Sequence, residues 1–365
     1  MLLNLVKKPN YIIIREECSL LTNIKAPEIT YLSMSDVIKA EGNQSALYVD
    51  SIKEALTLHA ERKFVQPLKP YLRANQSKGH IADRIIAMPA HLDEMNISGI
   101  KWVGSKNDNP SKRKISRASA VVVLNDPETN YPVSIMEGSL ISGMRTAAVS
   151  VLGAKHLAKK NFAEMSCLGC GQIAQFHVES FIDHFKNLKK INLFDINQDS
   201  ANLLKEKIDE YVRHKGDNRF IEVNVCENLE KTVRNGEVIL TCTVADTPYI
   251  PFEWISKGTF ISNVSIMDFE KETFLKADKV VVDDWDQANR EKKVINQLVL
   301  EGKFSKEQLH GELGEIITGR IPGRENENEI IILNPMGMAI EDIACAYKIF
   351  KKAKELGIGK TLSLY

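Results

Sequence analysis

The residues with the plainest chemical potential are Leu168-Gly169-Cys170-Gly171-Gln172-Ile173-Ala174, which have the form G-x-G-x-x-A. The apolar stretch 165–168 before them reads as a strand, and 173–185 after them as a helix. At such a turn, glycines let the backbone approach a pyrophosphate, and the helix N-terminus favours its negative charge. Asp195 ends the next strand, 191–194, roughly 20 residues beyond the turn, where a carboxylate can accept hydrogen bonds from an adenosine ribose diol. An acid there opposes a 2′-phosphate, so the pattern points to NAD rather than NADP. Lys189 and Lys190 precede the strand and leave that preference intact. The plainer alternative is a tight strand-to-helix turn without ligand, with Asp195 capping the following loop.

Cys167 and Cys170 have C-x-x-C spacing, which could serve a redox couple or half a zinc site. No second cysteine pair or histidine cluster supplies the remaining ligands, and no H-E-x-x-H pattern occurs, so no metal is expected. The other cysteines, Cys18, Cys226, Cys242 and Cys345, lack the regular spacing of a secreted disulfide scaffold, and reduced thiols are expected. His80, His91 and Glu137 could carry protons, although none has a spacing that demands it.

The surrounding elements suggest two domains. Helical sequence near 35–56, broken at Gly42-Asn43 and capped by a serine, precedes short strands at 84–88, 100–103, 120–124 and 133–136. Turn residues at 125–130 separate the last two, which predicts an antiparallel sheet. A helix over 143–159 leads to alternating strands and helices: strand 165–168, helix 173–185, strand 191–194, helix 201–212 and strand 220–225. Further strands at 238–241, 260–264 and 280–282 extend a doubly wound parallel sheet. The stretch 338–356 carries a helical apolar stripe whose expected destination is the first domain. The expected class is therefore α/β: a Rossmann doubly wound parallel sheet inserted into a second α+β domain with a largely antiparallel sheet. The run 284–293, rich in both charges, reads as a solvated helix.

Composition narrows the function classes. Lys and Arg total 48 and balance 48 Asp and Glu, so nothing draws the molecule as a whole toward nucleic acid. The apolar run 11–14 is too brief for a signal peptide core or a spanning helix, which gives a cytoplasmic expectation without membrane attachment. A small-molecule enzyme is the reading that remains.

Four stretches carry a family likeness: RIIAMP at 84–89, GIKWVGS at 99–105, the run 124–158 containing NDPETNYPVSIMEGSLISGMRTAAVSVLGAKHLA, and GMAIED at 337–342. Joined to LGCGQIA, they resemble the ornithine cyclodeaminase and mu-crystallin superfamily from about residue 31 to the C-terminus. Stretches such as FVQPLKPYLR, DDWDQANREKK and NQLVLEGKFSKE look like the members that form 2,3-diaminopropionate for siderophore or related pathways. That likeness implies NAD-dependent oxidative hydrolysis of an amino-acid conjugate, in which glutamate is joined through nitrogen to diaminopropionate, releasing diaminopropionate and 2-oxoglutarate. It also implies a homodimer formed through the first-domain sheet. Ornithine cyclisation, amino-acid or imine dehydrogenation, and cofactor binding with little catalysis are the other activities the superfamily suggests.

The resemblance assigns roles residue by residue. Arg84 and Lys101 match positions that hold a substrate carboxylate, and Arg145 matches one near both cofactor and substrate. Gly169, Gly171, Gln172, Ile173, Asp195, Thr243 and Lys271 match cofactor-contacting positions. Lys101 and Asp268 are the catalytic candidates, with Asp268 taking a proton or positioning water. Cyclodeaminases have a G-x-D-x-P-G-K pattern, whereas this chain has Ser265-Ile266-Met267-Asp268-Phe269-Glu270-Lys271, without the glycines and with the Asp shifted by one relative to Lys271. Pro335 stands where cyclodeaminases carry a serine beside the cofactor. The expected domains are 1–30, an extension without assignment; 31–150 plus 338–365, for substrate binding and dimerisation; and 151–337, for NAD.

Overall fold

The computed structural model describes residues 27–73, 83–216, 219–291 and 293–364. Most of the expected extension, with Cys18 and the 11–14 run, lies outside the described residues, as does His80. Among the described residues, no helix is long and apolar enough to cross a membrane.

The first sheet is made by β1 (Glu28–Leu32), β2 (Phe64–Val65), β3 (Tyr71–Leu72), β4 (Arg84–Leu92), β5 (Ile97–Ser105), β6 (Ala118–Asn125) and β7 (Pro132–Glu137). A last strand, β16 (Lys360–Ser363), closes it in the order β16-β1-β7-β6-β5-β4-β2, with β3 also on β4. Its ladders are antiparallel except that between β1 and β7, which run parallel. Period-two alternation buries one face: Ala120, Val122 and Leu124 of β6 point inward. On the opposite face Trp102 and Val121, which are paired across β5 and β6, stay 45% and 43% exposed.

Helices α1 (Met34–Lys39) and α2 (Ser45–Ala60) follow β1, and α3 (Ser139–Leu157) follows β7. The capping serine is Ser33, ahead of the expected helix start. Its side chain accepts the Asp36 N–H while the Asp36 carboxylate accepts the Ser33 N–H, a reciprocal box that fixes the first turn two residues earlier.

The second sheet contains β8 (Glu164–Leu168), β9 (Lys190–Phe194), β10 (Glu222–Val225), β11 (Val238–Thr241), β12 (Phe260–Ser262), β13 (Lys279–Val282), β14 (Gly311–Glu312) and β15 (Ile331–Asn334). Its order is β10-β9-β8-β11-β12-β15-β13-β14, and every ladder is parallel. The connecting helices are α4 (Gln172–His184), α5 (Gln198–Lys215), α6 (Leu229–Asn235), α7 (Lys271–Lys276), α8 (Trp285–Ala288), α9 (Val294–Leu300) and α10 (Leu313–Ile317). The expected α/β class, with one doubly wound parallel sheet and one largely antiparallel sheet, is the observed one. Sequence patterning overlooked β15, which lies between β12 and β13. All four of its residues are buried, so it has no alternation to betray it.

The charged run 284–293 is not a solvated helix. Only one short turn forms, α8, and Trp285, Gln287, Ala288 and Lys293 are buried. It packs beneath α2, whose buried His59 places Nε2 3.0 Å from Asp284 Oδ2. A neighbouring element supplies the counter-group that solvent would otherwise supply.

The last helix, α11 (Ala339–Leu356), leaves β15 and packs against α2, β4 and β5. Its seat is tight at Gly99 of β5, where an added Cβ would come 2.5 Å from the Val123 carbonyl oxygen and 2.9 Å from Ile343 of α11. Gly99→Ala is therefore expected to cost about 1–3 kcal/mol through overpacking. Urea unfolding would read this as a lower midpoint at unchanged slope; an unchanged midpoint would mean that α11 shifts freely.

Candidate active site

The glycine turn is built around a close approach of two strands. Gly169 adopts φ +86°, and a Cβ there would lie 2.8 Å from the Cys242 carbonyl carbon, so a side chain is excluded by both conformation and space. Its N–H donates to the Phe194 carbonyl at 2.8 Å, which ties the turn to the end of β9. Asp195 then lies against the same turn. Its carboxylate accepts the Cys170 N–H at 2.7 Å and the Asn197 N–H at 2.8 Å.

Gly171 caps α4 without any side-chain hydrogen bond, and a Cβ added there would meet nothing within 4 Å. Gly171 and Gln172 are exposed, and Ile173 is half-buried beside them. An uncapped N-terminus of a long helix, an open approach to it and a carboxylate at the next strand end together fit a dinucleotide. Cys167 and Cys170 are free thiols. Contact with Cys242 together with burial raises the Cys167 thiol, and burial raises that of Cys170, so neither favours the thiolate that redox or metal chemistry requires.

Thr243 and Asp268 are brought together opposite this turn. Asp268 is fully buried, and its carboxylate accepts hydrogen bonds from Thr243 Oγ1 at 2.5 Å, Tyr249 Oη at 2.9 Å and Ser265 Oγ. Tyr249 was not foreseen; nothing in its spacing marks it. Ile266, within the segment that departs from the cyclodeaminase pattern, has φ +66°. A β-branched residue in the left-handed region is strained by about 1–3 kcal/mol, a cost met where surrounding contacts fix a loop. Lys271, the first residue of α7, pairs instead with Glu301 near the surface.

Lys101 and Arg145 converge on the N-terminus of α11. Lys101, 2% exposed, lies 2.7 Å from Asp342 Oδ2 and donates to Ser142 Oγ at 3.1 Å. Burial lowers its pKa to about 8, against the opposing pull of Asp342. The Arg145 guanidinium donates to Asp342 Oδ1 at 3.0 Å and to Glu341 Oε2 at 2.7 Å. It also lies under Gly337, φ +71°, where a Cβ would come 2.6 Å from Nη1.

Lys69 lies in the family-like stretch FVQPLKPYLR, where spacing alone assigns it no role. It is buried and donates to the Met336 and Gly337 carbonyls, both at 2.8 Å, while burial lowers its pKa to about 8. Arg84 stands at the start of β4 with its guanidinium 5.7 Å from the Tyr71 ring centre. Of the alternative proton carriers, His91 contacts Ser98 at 2.9 Å, and Glu137 accepts the Ser139 and Leu140 N–H groups at the start of α3.

A sequence profile of the Ornithine cyclodeaminase/mu-crystallin family matches residues 30–357. N-((2S)-2-amino-2-carboxyethyl)-L-glutamate dehydrogenase of Staphylococcus aureus is 58% identical over 93% of this chain and 99% of its own. Among solved structures, an archaeal alanine dehydrogenase dimer with bound NAD superposes with a TM-score of 0.81 at 30% identity, over 93% of this chain and all of the other. Delta(1)-pyrroline-2-carboxylate reductase of Thermococcus litoralis, in complex with NADH and L-proline, gives a TM-score of 0.83 at 29% identity, over 92% of this chain and 100% of its own.

The charge network at the N-terminus of α11 sets a stability expectation. Arg145→Met would leave two buried carboxylates without their shared cation, and the removal of one partner from such a pair costs about 3–5 kcal/mol. Burial raises Glu341 to about 7, so Glu341→Gln should cost much less. Equal losses for the two variants in urea unfolding would contradict this ranking.

Proposed function

Because the chain belongs to the ornithine cyclodeaminase/mu-crystallin family, we propose that it is an NAD-dependent dehydrogenase that converts N-(2-amino-2-carboxyethyl)-L-glutamate to L-2,3-diaminopropionate and 2-oxoglutarate. The observation that carries this reading is the near full-length 58% identity to the Staphylococcus aureus enzyme of that name.

NAD, when bound, would supply the acceptor for the hydride that leaves the glutamate α-carbon of the substrate. Gly169, Gly171, Gln172 and Ile173 form its phosphate turn in this reading, and Asp195 receives the ribose hydroxyls. The loss of hydride leaves a carbon–nitrogen double bond in the substrate. Water adds at that carbon, and cleavage of the C–N bond releases the amine of diaminopropionate and the ketone of 2-oxoglutarate. Asp268 takes a proton from that water, held in orientation by Thr243, Tyr249 and Ser265. Arg84 and Lys101 hold carboxylates, for which a planar fork and a compact ammonium are suited. Arg145 supports Lys101 through the carboxylate they share, Asp342. A lysine with a pKa of about 8 can also exchange protons near neutral pH, which suits Lys101 to the collapse step.

A homodimer is part of the proposal. Exposed Trp102 and Val121 on the outer face of the first sheet favour it, as does the dimeric alanine dehydrogenase.

Purified protein given NAD and the glutamate conjugate should produce NADH, 2-oxoglutarate and diaminopropionate in equal amounts. Production of proline and ammonia from ornithine instead, without turnover of the conjugate, would sink the reading. Asp268→Asn should lower kcat by roughly 10²–10⁴-fold, the usual contribution of a positioned acid–base group, while NAD affinity is retained.

Asp195→Ala should weaken NADH binding by roughly tenfold or more through lost charge-assisted hydrogen bonds, and NADPH binding much less. Fluorescence titration of both cofactors checks this. An equal loss for both would mean that Asp195 only braces the Cys170 turn.

A further inference from the structure

The cleft contains more positive charge than the roles above use. Lys293, just before α9, is 3% exposed, yet the polar contact of its ammonium among the described residues is the Met336 sulfur, at 3.8 Å. It forms no ion pair with a described carboxylate within 4.0 Å. Three residues earlier, Arg290 has a buried Nη1 without a hydrogen-bond partner. Its guanidinium lies 5.6 Å from the Tyr71 ring centre, the ring that Arg84 also overlies. Met336, which touches Lys293 through sulfur, accepts the Lys69 ammonium at its carbonyl.

Burial pushes the Lys293 pKa well below its ordinary value, and Lys69, Arg290 and Arg84 push it the same way, against Asp283. The nearby acids are partly committed. Asp283 accepts the Met336 and Gly337 N–H groups, and Glu291 pairs with Arg73 at 2.8 Å while lying 3.6 Å from Arg290 Nη2, which leaves Arg290 Nη1 and Lys293 without a carboxylate. A buried lysine without a carboxylate partner and a buried guanidinium N–H without an acceptor both gain their missing partner when an anion binds.

We propose that Lys293 and Arg290, with Lys69, form a second carboxylate subsite, which holds a carboxylate of the substrate other than the one on the carbon that loses hydride. The proposal rests on the reading of the substrate as a glutamate conjugate. That molecule carries a glutamate α-carboxylate, a glutamate side-chain carboxylate and a diaminopropionate carboxylate. An amino acid with a single carboxylate would leave Lys293 uncompensated, so this pair distinguishes a polycarboxylate substrate from alanine or proline.

The test uses full-length Lys293→Met, which keeps the volume and removes a charge that has no ion-pair partner among the described residues, so folding should survive. With the conjugate, kcat/KM should fall by roughly tenfold or more, as for a lost hydrogen bond to a charged group. With conjugates in which the glutamate side-chain carboxylate or the diaminopropionate carboxylate is an amide, wild type and variant should become alike for one of the two. Lys293→Arg should recover much of the loss. A variant that loses activity equally on the conjugate and on both amides would overturn the subsite. If the wild-type enzyme fails to oxidise the conjugate, the functional reading falls, and calorimetry of glutarate binding to the NAD-loaded protein decides the subsite separately. Roughly tenfold weaker glutarate binding in Lys293→Met would sustain it, and equal affinity would overturn it.

Discussion

Burying the turn between β15 and α11 is the constraint on which the rest depends. There the chain leaves the parallel sheet and returns to the first one, and it does so through Pro335, Met336 and Gly337, surrounded by charge. Asp283 at the end of β13 accepts two of the turn's N–H groups, and Lys69 donates to two of its carbonyls. Arg145 lies so close beneath that only glycine fits at 337. Because a backbone turn cannot be buried with its polar groups unpaired, each of these side chains has a structural reason to be where it is. Lys69, from the loop between β2 and β3, and Arg145, from α3, thereby meet at this turn, and Lys101 of β5 joins Arg145 through Asp342.

The proposed site separates two kinds of anion recognition. At the glycine turn a phosphate would be met by backbone N–H groups and a helix dipole, with a carboxylate alongside. At the other group the proposed recognition relies on side-chain cations, whose burial is costly until they are paired. Asp268 belongs to neither group: hydroxyls alone surround its carboxylate, leaving it an acceptor rather than half of an ion pair. In the proposed mechanism that division suits a base, since a cation fixed on Asp268 would compete with the water it is proposed to activate.

How much of this was legible in the sequence follows from how local each feature is. The G-x-G-x-x-A turn and Asp195 lie within one βαβ unit, so their spacing carries their geometry. Strands β4 to β7 alternate and were legible; β15 is buried on both faces and was not. Asp268 was found through family likeness, although the strained Ile266 loop that presents it has no periodic signature. Lys101 and Arg145 were named, but Asp342 and Glu341, which take up their charge, lie on a helix about 200 residues away in sequence, and composition cannot link them.

The misread run 284–293 shows why charge alone is a poor guide to exposure. Its charged residues resemble a solvated helix only while their partners are unknown. In the fold, His59 receives Asp284, and the cleft rather than solvent receives Lys293. A lysine enclosed without a carboxylate is held toward its neutral form by burial, and an anion bound beside it would restore its charge. The connection between β13 and α9 therefore has a structural task, in which Asp283 takes the N–H groups of the turn after β15 and Asp284 meets His59 of α2. In the proposed subsite the residues that follow meet the substrate, four strands from the glycine turn after β8.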